Sequence, residues 1–385
     1  MIDVPKVKEG GATISLAKGV FYNPEMHFCR DASSLAAGAI SAETPLHILD
    51  AMCASGIRGI RYAKENANIA STTFLDSNKA AVKLAKANAK ANKLRKAKVV
   101  DDEVNRFLYS SAEPDFNFIE LDPFGTPAPF LHAACYAMRR QPRAYLSITA
   151  TDTAVLCGAH AKACLKNYQA QPLDNEYCHE VAGRILLSKL ARTAADFNFG
   201  IAPLFTLSKL HYIKAIVKLE QSAEHAANSM QTLGYISHCP ACLNREWREG
   251  TPAHDSCTRC KGPYLHAGPL WLGALWDAGT VEKMQALNSE RNYGNKKELT
   301  QLLLTVADEL SLPPTYFDLH KISQKLKISA VPVDKAVEQL KSKGFSVSRT
   351  HFRQNSIRTN AKISDVEAAV KKALSQGARQ SAPSR

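Results

Sequence analysis

An open parallel α/β sheet is the fold class this chain predicts, on three observations. Four short apolar segments, HILD (47–50), STTFLD (71–76), KAKVVD (96–101) and FNFIELD (116–122), each run into an acidic residue. A Lys- and Ala-rich stretch without Pro or Gly joins the second to the third, and a glycine-containing turn follows the first. Polar residues at the carboxyl ends of strands are what an open α/β sheet offers to a ligand; the lesser alternative is four solvated strand ends.

The first strand and its turn read HILDAMCASGIRG (47–59) before the amphipathic start of a helix. That layout is Rossmann-like, the arrangement of a nucleoside or dinucleotide site at the first βα turn. Its glycines are incomplete, because only Gly56 and Gly59 are present and Cys53 stands where a first glycine would. The second strand ends at Asp76, about twenty residues past the turn, where a carboxylate can hydrogen-bond ribose hydroxyls. Between 78 and 98, Val82, Leu84 and Ala85 recur at helical spacing, which predicts a crossover helix. The third strand ends in Asp101, Asp102 and Glu103, the fourth at Asp122. Residues 150–235 mix helical runs with strands such as LHYIKAIVKLE (210–220), and are expected to complete the same sheet.

Asp122-Pro123-Phe124-Gly125 carries the sharpest chemistry. An ionised Asp only accepts hydrogen bonds, and Pro fixes its own φ without an N–H. An aromatic residue next in line can stack on a base lifted from its helix. The group suits a clamp on an exocyclic amine awaiting a methyl group, with Phe21 or Phe124 against the base. The same four residues also suit a plain turn in which Asp caps and Gly relaxes the backbone. Cys53 is read as a small residue filling the turn rather than a nucleophile. Pyrimidine carbon-5 chemistry would place its cysteine after the Pro, where Phe124 stands.

Cys239, Cys242, Cys257 and Cys260 form two C-x2-C knuckles separated by fourteen residues. Four thiolates at this spacing make a closed, structural zinc site. The other six cysteines are scattered, as suits free thiols in a reducing cytoplasm.

Charge bounds the partners. The 385 residues hold 49 Lys+Arg against 36 Asp+Glu, a net +13, which favours a polyanion. Residues 291–385 carry 17 basic against 8 acidic side chains, an excess of nine. That part also has its own pattern: helical runs at 296–310, 317–328 and 331–345, then a strand-like FSVSRTHF. Helix, helix and strand with basic residues resemble a winged-helix element, suited to gripping RNA or to buttressing the sheet. Nothing approaches twenty consecutive apolar residues, so no membrane association is expected. No Walker A lysine motif or G-x-S-x-G elbow appears, so nucleotide hydrolysis and esterase chemistry find no support.

FYNPEMHFCRD (21–31), DAMCASGIRGIRY (50–62), LDPFGTP (121–127), the paired knuckles and HFRQNSIRTNA (351–361) together resemble the tRNA guanine-N2 dimethyltransferases. These enzymes modify the guanine at tRNA position 26, and the resemblance runs from roughly residue 10 to 365. It implies a class I methyltransferase sheet using S-adenosyl-L-methionine, with Arg30 and Arg58 contacting the cofactor. It also implies Asp76 on the ribose, Glu103 and Val104 on the adenine, Asp122 as the catalytic carboxylate, and tRNA as partner. One departure stands out, since the family's Asp-Ala-Asn run is here Glu103-Val104-Asn105.

The expected organisation is a methyltransferase domain over 1–265, including a zinc segment at 236–265. A smaller α+β, tRNA-binding domain over 266–374 and a disordered tail over 375–385 complete it. A cytoplasmic monomer is expected. Two other functions stay open: amine methylation of another nucleic acid, and RNA binding without activity. Phe124 in place of a second Pro speaks against the former, and the intact acidic strand ends speak against the latter.

Overall fold

The computed structural model describes residues 5–110 and 116–380, of which 376–380 are described by backbone alone. Two units emerge, each drawn from three stretches of chain. One comprises residues 1–152, 189–230 and 275–303, the other 153–188, 231–274 and 304–385.

The first unit opens with a small antiparallel hairpin, β1 (Lys6–Glu9) and β2 (Ala12–Ser15). Its centre is a sheet of β3 (Leu46–Ala51), β4 (Ile69–Asp76), β5 (Ala97–Asp101), β6 (Phe118–Leu121), β7 (Arg143–Ala150), β8 (Phe199–Lys209) and β9 (Tyr212–Gln221). The strand order is β5-β4-β3-β6-β7-β9-β8. β3 to β7 pair in parallel, and β9 joins antiparallel to both β7 and β8. Order reverses between β3 and β6, and an open sheet binds ligands outside the carboxyl ends of its strands at such a switch point. The glycine-containing turn and the Asp122 loop both leave the sheet there.

The predicted crossover helix is present over Lys79–Ala91, capped by the Asn78 side chain on the Ala80 N–H. It stops short of residue 98 because Lys93 turns to φ 58° ahead of β5. Residues 150–235 divide differently from expectation. β8 and β9 complete the sheet, but 153–188 belong to the second unit.

That second unit holds two three-stranded antiparallel sheets. One has β10 (Leu233–His238) between β11 (Arg245–Glu249) and β12 (Leu265–Trp271). The other has β15 (Ser356–Thr359) between β13 (Phe317–Asp318) and β14 (Val347–Arg349). Helices Leu319–Leu326, Val333–Lys341 and Ile363–Gln380 lie around the latter. Asp318 caps the first of these through the N–H groups of His320 and Lys321, and Gly344 (φ 82°) follows the second. Their apolar faces build a core of Phe317, Leu319, Ile322, Leu340, Ile357 and Val370, which Leu243 from the cysteine segment also joins. A buried Arg358 bridges Glu180 and Glu309, at 2.8 Å to each.

A boundary at residue 266 therefore does not match the packing. The cysteine segment shares its core with the C-terminal helices, and Arg245 and Arg259 pair with Glu176 and Glu367. The tail expected to lack structure from 375 continues the last helix to Gln380; 381–385 lie outside the described residues.

Candidate active site

At the switch point a cavity of about 620 Å³ opens in the first unit. Its floor is the turn after β3. Met52, Ala54 and Gly56 all take positive φ (64°, 46° and 79°), a run that costs side chains energy and is found at functional turns. Cys53 is not among them, so a side chain is tolerated where the glycine pattern is incomplete. Burial and the neighbouring Asp50 and Asp76 push its thiol well above the ordinary range, which removes the thiolate a nucleophile needs. Gly59 is required by close approach, since a Cβ there would sit 2.6 Å from the Phe74 ring. Buried Asp50 accepts from the Gly59 N–H at 2.9 Å, and burial beside Glu120 raises its carboxyl to about 7.

Asp76 lines one side of the cavity with both oxygens anchored, Oδ2 by the Ala54 N–H (2.9 Å) and Oδ1 by the Asn78 N–H (2.8 Å). Asp101 stands opposite it in register, which brings the end of β5 alongside. Glu103 is turned to another task there. Its oxygens accept from the N–H groups of Asn105 (3.0 Å) and Arg106 (2.8 Å), capping the helix Val104–Ser110. Neither Glu103 nor the buried Val104 lines the cavity.

Asp122, Pro123 and Phe124 form the opposite rim. The Asp122 side chain is 27% exposed, and its Oδ2 accepts from Arg58 at 2.5 Å. Burial alone would raise its pKa, but the charges of Arg58 and Lys214 and a bond from Thr149 hold it below the ordinary value. It is thus an ionised acceptor. Beneath it, buried Glu120 meets Arg58 (3.4 Å), Lys214 and the Tyr62 hydroxyl (2.8 Å). Buried charge of this kind is tolerated only when paired and hydrogen-bonded. The loop itself is pinned by Thr151, whose Oγ1 accepts from the Gly125 N–H at 2.7 Å and whose own N–H donates to the Gly125 carbonyl.

The remaining wall comes from Phe21 to Arg30 and from the tip of the β8–β9 hairpin. Phe21 and Phe124 are 51% and 77% exposed, and their rings meet edge to face with centroids 4.6 Å apart. Two large apolar side chains left in solvent beside a cavity mark a surface awaiting a flat partner. Arg30 lines the cavity but is held by Glu9 through two bonds of 2.6 and 2.7 Å.

Of the residues the sequence singled out, Phe21, Arg30, Arg58, Asp76, Asp122, Pro123 and Phe124 line one cavity. Sequence reasoning missed Asp50, Thr151, Leu210, His211 and Tyr212, which also line it. Asp50 reads in the sequence as an acidic strand end without an assigned role; the hairpin tip had no signal, since its arrival depends on antiparallel pairing far along the chain.

In the second unit, Cys239 and Cys242 follow β10, and Cys257 and Cys260 precede β12. Sulfur separations of 3.4 Å (239 to 260, and 242 to 257) exclude disulfides, which need about 2.05 Å. They approach the spacing of about 3.8 Å that four bonds of about 2.3 Å to one tetrahedral ion require. Although burial opposes ionisation, the N–H groups of Cys260 and Arg259 hold the Cys257 thiol down at about 6. The donor set fits zinc.

A family model described as N2,N2-dimethylguanosine tRNA methyltransferase matches residues 2–371. Among similar proteins, the tRNA (guanine(26)-N(2))-dimethyltransferase of Pyrococcus abyssi is 36% identical over 384 residues, covering 94% of this chain and 97% of its own. The enzyme of the same name from Methanobrevibacter smithii is 34% identical over 362 residues, 93% of this chain and 92% of its own. A solved structure of Trm1 from Pyrococcus horikoshii with S-adenosyl-L-methionine superposes with a TM-score of 0.85 at 35% identity, covering 95% of this chain and 100% of that one. A cavity at the switch point, an Asp-Pro-Phe rim and a family match over residues 2–371 therefore converge, and the chain belongs to the N2,N2-dimethylguanosine tRNA methyltransferase family.

Proposed function

We propose that this enzyme methylates the exocyclic N2 amine of guanine 26 in tRNA, giving N2-methyl- and then N2,N2-dimethylguanosine. One observation carries the site assignment: the ionised Asp122 and the exposed Phe124 share a cavity with Asp76.

The residues fit S-adenosyl-L-methionine. Asp76 presents a fixed carboxylate suited to ribose hydroxyls, and Met52, Ile57 and Ala81 supply apolar wall. Bound there, the cofactor would supply an electrophilic methyl group. Glu103 and Val104 lie next to this site along the sheet edge, and an adenine contact from them requires the Glu103 side chain to leave its helix cap. Arg30 and Arg58 both line the cavity; a cofactor carboxylate would have to share Arg30 with Glu9, and Arg58 also orients Asp122.

Guanine N2 is a weak nucleophile because its lone pair is shared with the ring. Asp122 accepts one N2 hydrogen and the Pro123 carbonyl the other, which holds the nitrogen in line. Phe21 and Phe124 part to take the purine face between or against them. Each transfer replaces one N2 hydrogen, whose proton would pass to the Asp122 carboxylate and on to water, so after the first an N–H remains for the same acceptor and the second can follow. The basic C-terminal segment grips tRNA phosphates, the four-cysteine hairpin holds structural zinc, and free cysteines throughout suit a reducing cytoplasm. No described helix is long and apolar enough to cross a membrane.

The test is Asp122→Ala and Asp122→Asn with undermodified tRNA. Turnover should fall by about 10² to 10⁴ with cofactor affinity by calorimetry changed little. Near-normal turnover would reject the clamp while leaving family membership intact.

A further inference from the structure

The second unit contains another cluster of metal-binding side chains, unconnected with the knuckles. Cys157, Cys178 and His179 bring two sulfurs and an imidazole nitrogen within 4.8 Å of one another. We propose that these three residues bind a second zinc ion, with a fourth position left to water or to Asp174.

The geometry is specific. Cys157 Sγ lies 3.5 Å from His179 Nδ1. Bonds of about 2.3 Å to sulfur and about 2.05 Å to nitrogen, opened to the tetrahedral angle, leave about 3.5 Å between the two ligand atoms. The backbone is arranged to bring them together. Cys157 follows the short helix Thr153–Leu156, its N–H donating to the Thr153 carbonyl at 2.8 Å. Gly158 next to it takes φ +108°, and a Cβ there would meet the Asp174 backbone nitrogen at 2.7 Å. Only glycine lets the two segments approach so closely. Cys178 opens the 18-residue helix Cys178–Ala195, where the helix dipole favours its thiolate. Two thiolates and a neutral imidazole balance one Zn²⁺, and each ligand is only partly buried, so an ion can enter.

A disulfide between the two sulfurs would leave the imidazole without a role. The metal reading uses all three groups.

Zinc content after removal of loosely held metal, together with cobalt substitution, tests this on the full chain. Wild type should hold two zinc equivalents, and Cys178→Ser and His179→Ala each one, with native far-ultraviolet dichroism and melting confirming that the variants fold. Cobalt-loaded wild type should lose part of its sulfur-to-metal charge-transfer absorption in Cys178→Ser. One equivalent in wild type, a count unchanged by both substitutions, or a metal-free Cys157–Cys178 disulfide in freshly purified protein would each overturn the proposal.

Discussion

Phe124→Ala removes a ring that is 77% exposed and so tests recognition separately from folding. Base–aromatic stacking contributes about 1–3 kcal/mol, so KM for tRNA should rise by about 5- to 150-fold with the melting temperature unchanged. Gly59→Ala should act the other way round. Its Cβ would press on the Phe74 ring at 2.6 Å and on Asp50 at 2.9 Å, and overpacking of this kind costs about 1–3 kcal/mol, readable by thermal melting. Arg58 shows how far one residue is legible. Its place in the glycine-containing turn marked it as a candidate, and it lines the cavity. Which anion it meets could not be read, because Glu120 and Asp122 reach it only through the parallel pairing of β3 with β6.

At the scale of elements, local signals were reliable wherever local physics decides. The helix after Asn78, the Asp318 cap and Gly344 all sit where side-chain capping and glycine's φ predict. What escaped is what depends on distant partners: the hairpin tip of β8 and β9 in the cavity wall, and the assignment of 153–188 to the second unit. The cysteine hairpin is an element whose small core depends on its ligands, since among the described residues its buried cluster is Cys239, Cys242, Cys257 and Tyr264. Chelation should therefore lower the melting temperature by several degrees and expose this segment to protease first. Methyl transfer lost before any such change would contradict a purely structural metal.

Across the whole molecule, two solution properties follow from charge. Burial opposes ionisation of Glu309, but Arg358 and His351 hold its pKa at about 2, against an ordinary 4.5. Because the folded value is the lower one, the stabilisation is complete above about pH 4.5 and disappears as pH falls towards 2; its size is on the order of 3 kcal/mol. Glu309→Gln should flatten the acid limb of the stability curve, measured by urea unfolding between pH 5 and about 2.5; an unchanged slope would show that other carboxylates govern it. The net +13 should make tRNA affinity fall at least about tenfold between 50 and 200 mM salt, and a flat dependence would remove phosphate contacts from the account.

The interleaving of the two units has a bearing on biosynthesis. The chain passes from one to the other five times, and the first unit takes its last stretch from residues 275–303. A nascent polypeptide cannot finish that unit until roughly four-fifths of it has left the ribosome, by which time two of the second unit's three stretches, about half of its residues, are also exposed. No single cut yields either half whole, so truncated fragments should need trapping by chaperones instead of folding as independent pieces.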